Sequence, residues 1–171
     1  MQRLLLVLIL AACGSAPRPP VAGHSPATAA NAPHATNAGT TFVVPSNWTV
    51  SENDSLTNLT PPLDEHSHVL LVETTAGDPE TARDTALALY RPELKLEAPR
   101  GDDAPGRKGW QTTRQFTYEV PDRAFVVSSA FANGRYTVAI LDLASAVMDL
   151  CAADMSTIFD NLYPKRPGSG R

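Results

Sequence analysis

The chain has 171 residues, 43% of them hydrophobic, and a formal charge of −4, enough for one domain with its own core. It carries no basic stripe that would track a phosphate backbone, so nucleic acid is not an expected partner. Its two cysteines, Cys13 and Cys151, make no disulfide framework.

Met1-Gln2-Arg3 carries one positive charge, residues 4–10 are an unbroken apolar run, and Ala11-Ala12-Cys13 follows. A membrane-spanning helix needs about 20 apolar residues, so a run this short with these flanks is a secretory signal. The ending Leu10-Ala11-Ala12-Cys13 resembles the lipobox of bacterial lipoproteins. That resemblance implies that residues 1–12 are a signal peptide, that the Cys13 thiol is diacylated with palmitate-type chains, and that the chain is cut before Cys13. The new amine is then acylated as well. One acyl chain binds a bilayer only marginally, at about 0.8 kcal/mol per buried methylene, whereas two signals anchor stably. The expected partner is therefore the membrane of the cell envelope, held through Cys13. Enterobacterial lipoproteins kept in the inner membrane tend to have Asp after the cysteine. Gly14 implies instead the periplasmic face of the outer membrane.

Residues 14–39 are rich in Ala, Pro, Asn, Ser and Thr without apolar periodicity, so residues 13–39 are expected to be a lipidated cysteine followed by a disordered tether. Gly23-His24-Ser25-Pro26 approaches a G-x-S-x-G nucleophile elbow but lacks the second glycine.

The folded domain is expected over residues 40–164. Residues 41–44 read as a strand closed by Pro45, a turn follows at Ser46-Asn47, and residues 48–50 continue as a second strand with Trp48 packed back on the sheet. Residues 56–62 read as an edge strand, because Pro61 and Pro62 cannot donate to a ladder. A polar link over 64–68 leads into a buried strand at 69–73. Asp78-Pro79-Glu80 starts a helix with a carboxylate cap, Pro at the first position and acid in the first turn. Ala82, Ala86, Leu89 and Tyr90 fall on one face, and Pro92 stops the helix.

Residues 97–108 read as an exposed loop. Within it, residues 101–108 approach a P-loop but misplace the lysine, lack the following Ser or Thr and add Asp102 and Asp103. A long strand is expected over 109–120, with Trp110, Phe116, Tyr118 and Val120 on one side. Pro121-Asp122 turns it into the strand 124–132. Asn133-Gly134 then demands a type I′ hairpin, which sets Ala132 opposite Arg135, Phe131 opposite Tyr136 and Val127 opposite Ile140. Both faces of that hairpin are apolar, so both are expected to be covered. A final helix from about Ser145 carries Val147, Cys151, Met155, Ile158 and Leu162 on one stripe, widened by Leu150 and Phe159, with Cys151 as a buried small hydrophobe. Residues 165–171 are expected to fray as a flexible tail.

These elements give an α+β fold, an antiparallel sheet covered by helices. The run Gly39-Thr-Thr-Phe-Val-Val-Pro-Ser-Asn-Trp-Thr-Val50 resembles the start of PsbP-like domains. It is also similar to the small N-terminal module that precedes β-lactamase-type serine hydrolase domains in some bacterial proteins. Residues 158–165, Ile-Phe-Asp-Asn-Leu-Tyr-Pro-Lys, resemble that module's closing helix. In those relatives the Ser-x-x-Lys chemistry belongs to the following domain. No serine of this chain has lysine at that spacing: Ser128, Ser145 and Ser156 are followed by Phe131, Met148 and Phe159.

The resemblance therefore carries over no catalytic residue, and no cofactor is expected. Glu65, His66 and His68 are the one cluster with metal-like chemistry, and His66 and His68 would point the same way on an extended segment. Two histidines are fewer ligands than a structural zinc needs, so a solvated loop is the expectation. Arg114 and Trp110, placed on one face, are the candidates for a ligand groove. The function expected is that of a non-catalytic envelope lipoprotein binding a protein partner or a small ligand at the membrane surface. The alternative is an accessory subunit of a separately encoded β-lactamase-type hydrolase.

Overall fold

The computed structural model describes residues 31–166, so the signal peptide, Cys13 and residues 167–171 lie outside the described residues. In chain order the strands are β1 (Ala32–Ala35), β2 (Thr41–Val44), β3 (Thr49–Glu52), β4 (Leu56–Thr60), β5 (His68–Thr74), β6 (Arg100–Pro105), β7 (Thr112–Val120), β8 (Arg123–Ala132) and β9 (Arg135–Ala144). The helices are α1 (Pro79–Tyr90), between β5 and β6, and α2 (Ser145–Leu150) and α3 (Ala152–Asp160), after β9. Seven strands form one antiparallel sheet in the order β3-β4-β5-β9-β8-β7-β6, and β1 pairs with β2 in a separate hairpin.

The central strand shows why the sheet is covered twice. β9 reads Arg-Tyr-Thr-Val-Ala-Ile-Leu-Asp-Leu-Ala, and its eight residues from Tyr136 to Leu143 are all buried, as a strand packed on both faces requires. Tyr136, Val138 and Ile140 join Phe116, Phe125 and Val127 in the layer under Ala82 and Ala86 of α1. Ala139, Leu141 and Leu143 join Phe42, Trp48 and Ile158 in the layer under α2, α3 and β2. The β8–β9 register is the one demanded by the Asn133-Gly134 turn: Ala132 opposite Arg135, Phe131 opposite Tyr136, Val127 opposite Ile140. Both turn residues have positive φ, 53° and 76°, as a type I′ turn needs. The α1 cap is also as expected, with Asp78 Oδ1 accepting from Thr81 N at 2.7 Å.

Several sequence expectations are corrected. The ordered chain starts before residue 40, because β1 pairs with β2 and Thr36 Oγ1 accepts from Thr40 N at 3.1 Å. Neighbouring hydrogen bonds and the tilted ring contact of His34 with Phe42 at 5.1 Å offset the poor apolar content of that segment. β4 is interior, between β3 and β5, since the strand stops at Thr60 and leaves both prolines outside the ladder. Part of the expected 97–108 loop is the edge strand β6, exposed at every position; its charges and Pro105 suit an edge that must not recruit another chain.

The chain runs through positive φ at Lys108 and Gly109, so Trp110 lies off β7 and packs in the opposite layer from Phe116. The final helix breaks at Cys151 into α2 and α3. Cys151 is buried there, whereas Leu150 faces solvent, as does Leu89 of α1.

Candidate functional site

A cleft opens at the turn end of the β8–β9 hairpin. Its wall is the closing segment of the domain, residues 163–166, laid against the β1–β2 hairpin and the Asn133 turn. Thr41 and Tyr163 exchange both backbone hydrogen bonds, at 2.9 and 2.8 Å. Asn133 Nδ2 donates to the Lys165 carbonyl at 2.7 Å. Gly39 sits at φ 96°, a conformation that favours glycine, and the exposed Lys165 side chain packs against it. The resulting hollow measures about 620 Å³. A second, of about 230 Å³, adjoins it and shares Asn133, Pro164, Lys165 and Arg166.

The smaller hollow is lined in part by Glu73, Thr40 and Thr137, with Trp110 beside them. Glu73 is held by Thr36 Oγ1 at 3.1 Å and Thr137 Oγ1 at 2.9 Å, and Thr137 in turn lies 3.0 Å from Thr40 Oγ1. Lys108, Arg135, Lys165 and Arg166 line the two hollows, so cations outnumber the single carboxylate.

A second polar cluster fills the opposite end of the same strands. Asp142, 1% exposed, accepts from Arg123 Nε on one oxygen and from Tyr90 Oη at 2.8 Å on the other, with Arg91 at 3.4 Å. Arg123 also donates to the carbonyls of Asp142 and His66. Burial, and then the hydrogen bond to Asp142, push the Tyr90 phenol far above its ordinary range. His68 faces Asp142 across the β5–β9 ladder and meets Tyr90 edge-on at 6.2 Å. Burial holds its imidazole below the usual value, outweighing Asp142. Two guanidinium groups and a phenol satisfy the buried carboxylate, which is the requirement for keeping such a charge inside. The cluster is a clasp between α1, β8 and β9, with no nucleophile poised beside a free base.

The histidine pair of the sequence is thus divided between two environments. The His66 side chain is solvent-facing, 3.8 Å from Glu65, whereas His68 turns onto Tyr90. Among the described residues no group of three or more His, Cys, Asp or Glu is placed to hold a metal.

Arg114 and Trp110 do not share a groove. Arg114 lies over Phe116, bound by Asp103 of β6 and Glu80 of α1 at 3.1 Å each. Trp110 faces the other layer and donates to the Leu162 carbonyl at 3.3 Å. Trp110 borders the smaller hollow. Sequence reasoning missed the cations of the cleft, which are spread over residues 108–166 with no local motif. It also missed the Asp142 clasp, although one acid in a strand apolar on both faces signalled a buried charge.

The sequence matches no family model and no curated protein. Among solved structures, the chain is similar to the solution structure of cyanobacterial PsbP (CyanoP) from Synechocystis sp. PCC 6803. The TM-score is 0.58, the identity 11%, and the likeness covers 84% of this chain and 98% of that one. At that identity the likeness is one of fold. The domain accordingly has the PsbP-like α+β fold.

Proposed function

We propose that the protein is a non-catalytic, lipid-anchored envelope protein whose domain binds a protein partner or a small ligand at the membrane surface. The observation that carries the reading is the cleft of residues 163–166, an open hollow of about 620 Å³ in the size range of small-molecule sites, roughly 300–1,000 Å³. The buried titratable groups at the other end of the sheet are engaged with one another and serve packing. The lipobox-like ending at Cys13 supplies the anchor in this reading. The test is a pull-down from detergent-solubilised membranes alongside assays of the purified chain. Recovery of one partner in stoichiometric amount supports the binding role. Turnover of β-lactam or ester reporters that survives stringent purification overturns it.

One contact favours a second reading. The two stretches that resemble the module beside β-lactamase-type hydrolases, residues 39–50 and 158–165, meet at the Thr41–Tyr163 bridge and are continuous through a shared core of Phe42, Trp48 and Ile158. That continuity supports an accessory role toward a separately encoded hydrolase. An adjacent gene for such an enzyme, and a rise in its activity on adding this protein, would be the expected outcomes.

A further inference from the structure

We propose that the cleft binds a small organic anion, a carboxylate or phosphate carried on an apolar body; the inference deepens the binding-module reading and rests on it. In a chain of formal charge −4, the two adjoining hollows gather Lys108, Arg135, Lys165 and Arg166 against Glu73. Glu73 is already occupied by two threonine hydroxyls, and Lys108 by Asp160 at 3.0 Å. Arg135 and Lys165 have no acidic partner among the described residues. The planar fork of an arginine matches the oxygens of a carboxylate or phosphate two at a time, and a lysine adds a point charge.

Both cations stand on fixed supports. Arg135 begins β9 directly after the type I′ turn, and the Lys165 backbone is pinned by Asn133. With the backbones fixed, only the two side chains are left to be ordered on binding. Beside Thr40, Thr137 and Asn133, the lining includes three apolar residues, Trp110, Ala132 and Pro164. They offer surface to a hydrocarbon or aromatic body and nothing to a bare inorganic ion.

The protein has two tryptophans, which makes the test specific. Trp110 borders the cleft, whereas Trp48 is fully buried with its indole N–H on Asp154 at 2.9 Å. The full chain, ¹⁵N-labelled in its indoles and reconstituted in phosphatidylcholine nanodiscs, is titrated with phenyl phosphate and followed by NMR. The Trp110 indole resonance should move saturably while that of Trp48 stays. Arg135→Gln and Lys165→Gln should each raise Kd about five- to tenfold, as expected for a charge-assisted hydrogen bond in an open site. Lys95→Gln, at an exposed position outside the lining of both hollows, should leave Kd unchanged. Inorganic phosphate, lacking the apolar body, should bind at least about fivefold more weakly.

Nanodiscs containing phosphatidylglycerol separate the two sources of such an anion. A Trp110 shift before any phenyl phosphate is added assigns a lipid headgroup, and its absence assigns a soluble anion. A Trp110 resonance that never moves overturns the proposal, as does a titration that the Arg135→Gln/Lys165→Gln double variant leaves intact. Saturable shifts elsewhere that spare Trp110 reject the cleft and leave the binding-module reading standing. Release of phenol from the probe rejects that reading itself.

Discussion

Tyr90 Oη donates to Asp142 Oδ2 at 2.8 Å, tying the last residue of α1 to a carboxylate in the innermost strand, 52 positions along the chain. The bond fixes where the helix ends over the sheet, and it supplies one of the partners that let Asp142 remain buried. Tyr90→Phe keeps the ring against His68 and removes only the donor. It should lower stability by about 1–2 kcal/mol in urea unfolding, the cost of a hydrogen bond to a charged group that is lost in a partly buried site. Asp142→Leu strands two guanidinium groups and should cost more, about 3–5 kcal/mol. Equal effects for the two variants would show that Asp142 is not the hub.

His68 makes stability depend on pH in a definite direction. Its imidazole is neutral in the fold below the ordinary 6.5, because burial disfavours the cation more than the facing Asp142 favours it, with Arg91 and Arg123 adding repulsion. The unfolded chain therefore binds the proton first as pH falls, so stability is full above about 6.5 and declines below it. His68→Phe should flatten the melting temperature between about pH 6.5 and 5. Asp64 and Asp78 are also lowered, Asp64 first by its hydrogen bond from Ser67 and Asp78 first by that from Thr81 N. Their contribution is present above the ordinary carboxylate value of 3.8 and is lost in a separate, more acid window. A His68→Phe variant that retains the same slope near pH 6 would refute the assignment.

At Gly134 the cost of substitution is purely a matter of backbone conformation. A Cβ there meets nothing within 4 Å, but φ is 76°, where a β-branched residue is strained. Gly134→Val should destabilise by about 1–3 kcal/mol, and Gly134→Asn by much less, since Asn tolerates the left-handed region. Comparable melting temperatures for the two variants would argue against a conformational origin.

Anchoring is tested at Cys13. Cys13→Ser should abolish labelling with radioactive palmitate and release the protein from the detergent phase on partitioning. A mutant that partitions like the parent would place the anchor elsewhere.

Local chemistry determined the parts of this protein whose information is local. The Asn133-Gly134 turn fixed a whole register because positive φ at two successive residues admits few alternatives. Asp78-Pro79 fixed a helix start because cap and ring act within one turn. The apolar stretch at 136–141 announced a strand covered on both sides.

What only the tertiary structure decided depends on contacts far apart in sequence. Ala32–Ala35 becomes a strand through a partner in β2 and hydroxyls that reach Glu73, none of which its own composition signals. Arg100–Pro105 becomes an edge strand because β7 offers a free ladder, whatever the propensity of its own residues. Trp110 and Arg114, four residues apart, part to opposite layers because positive φ at Lys108 and Gly109 ends the strand alternation. The cleft shows this most clearly. Its cations are electrostatically unremarkable along the chain, and they converge only when the Thr41–Tyr163 bridge and the Asn133–Lys165 hydrogen bond draw the closing segment onto the central hairpin.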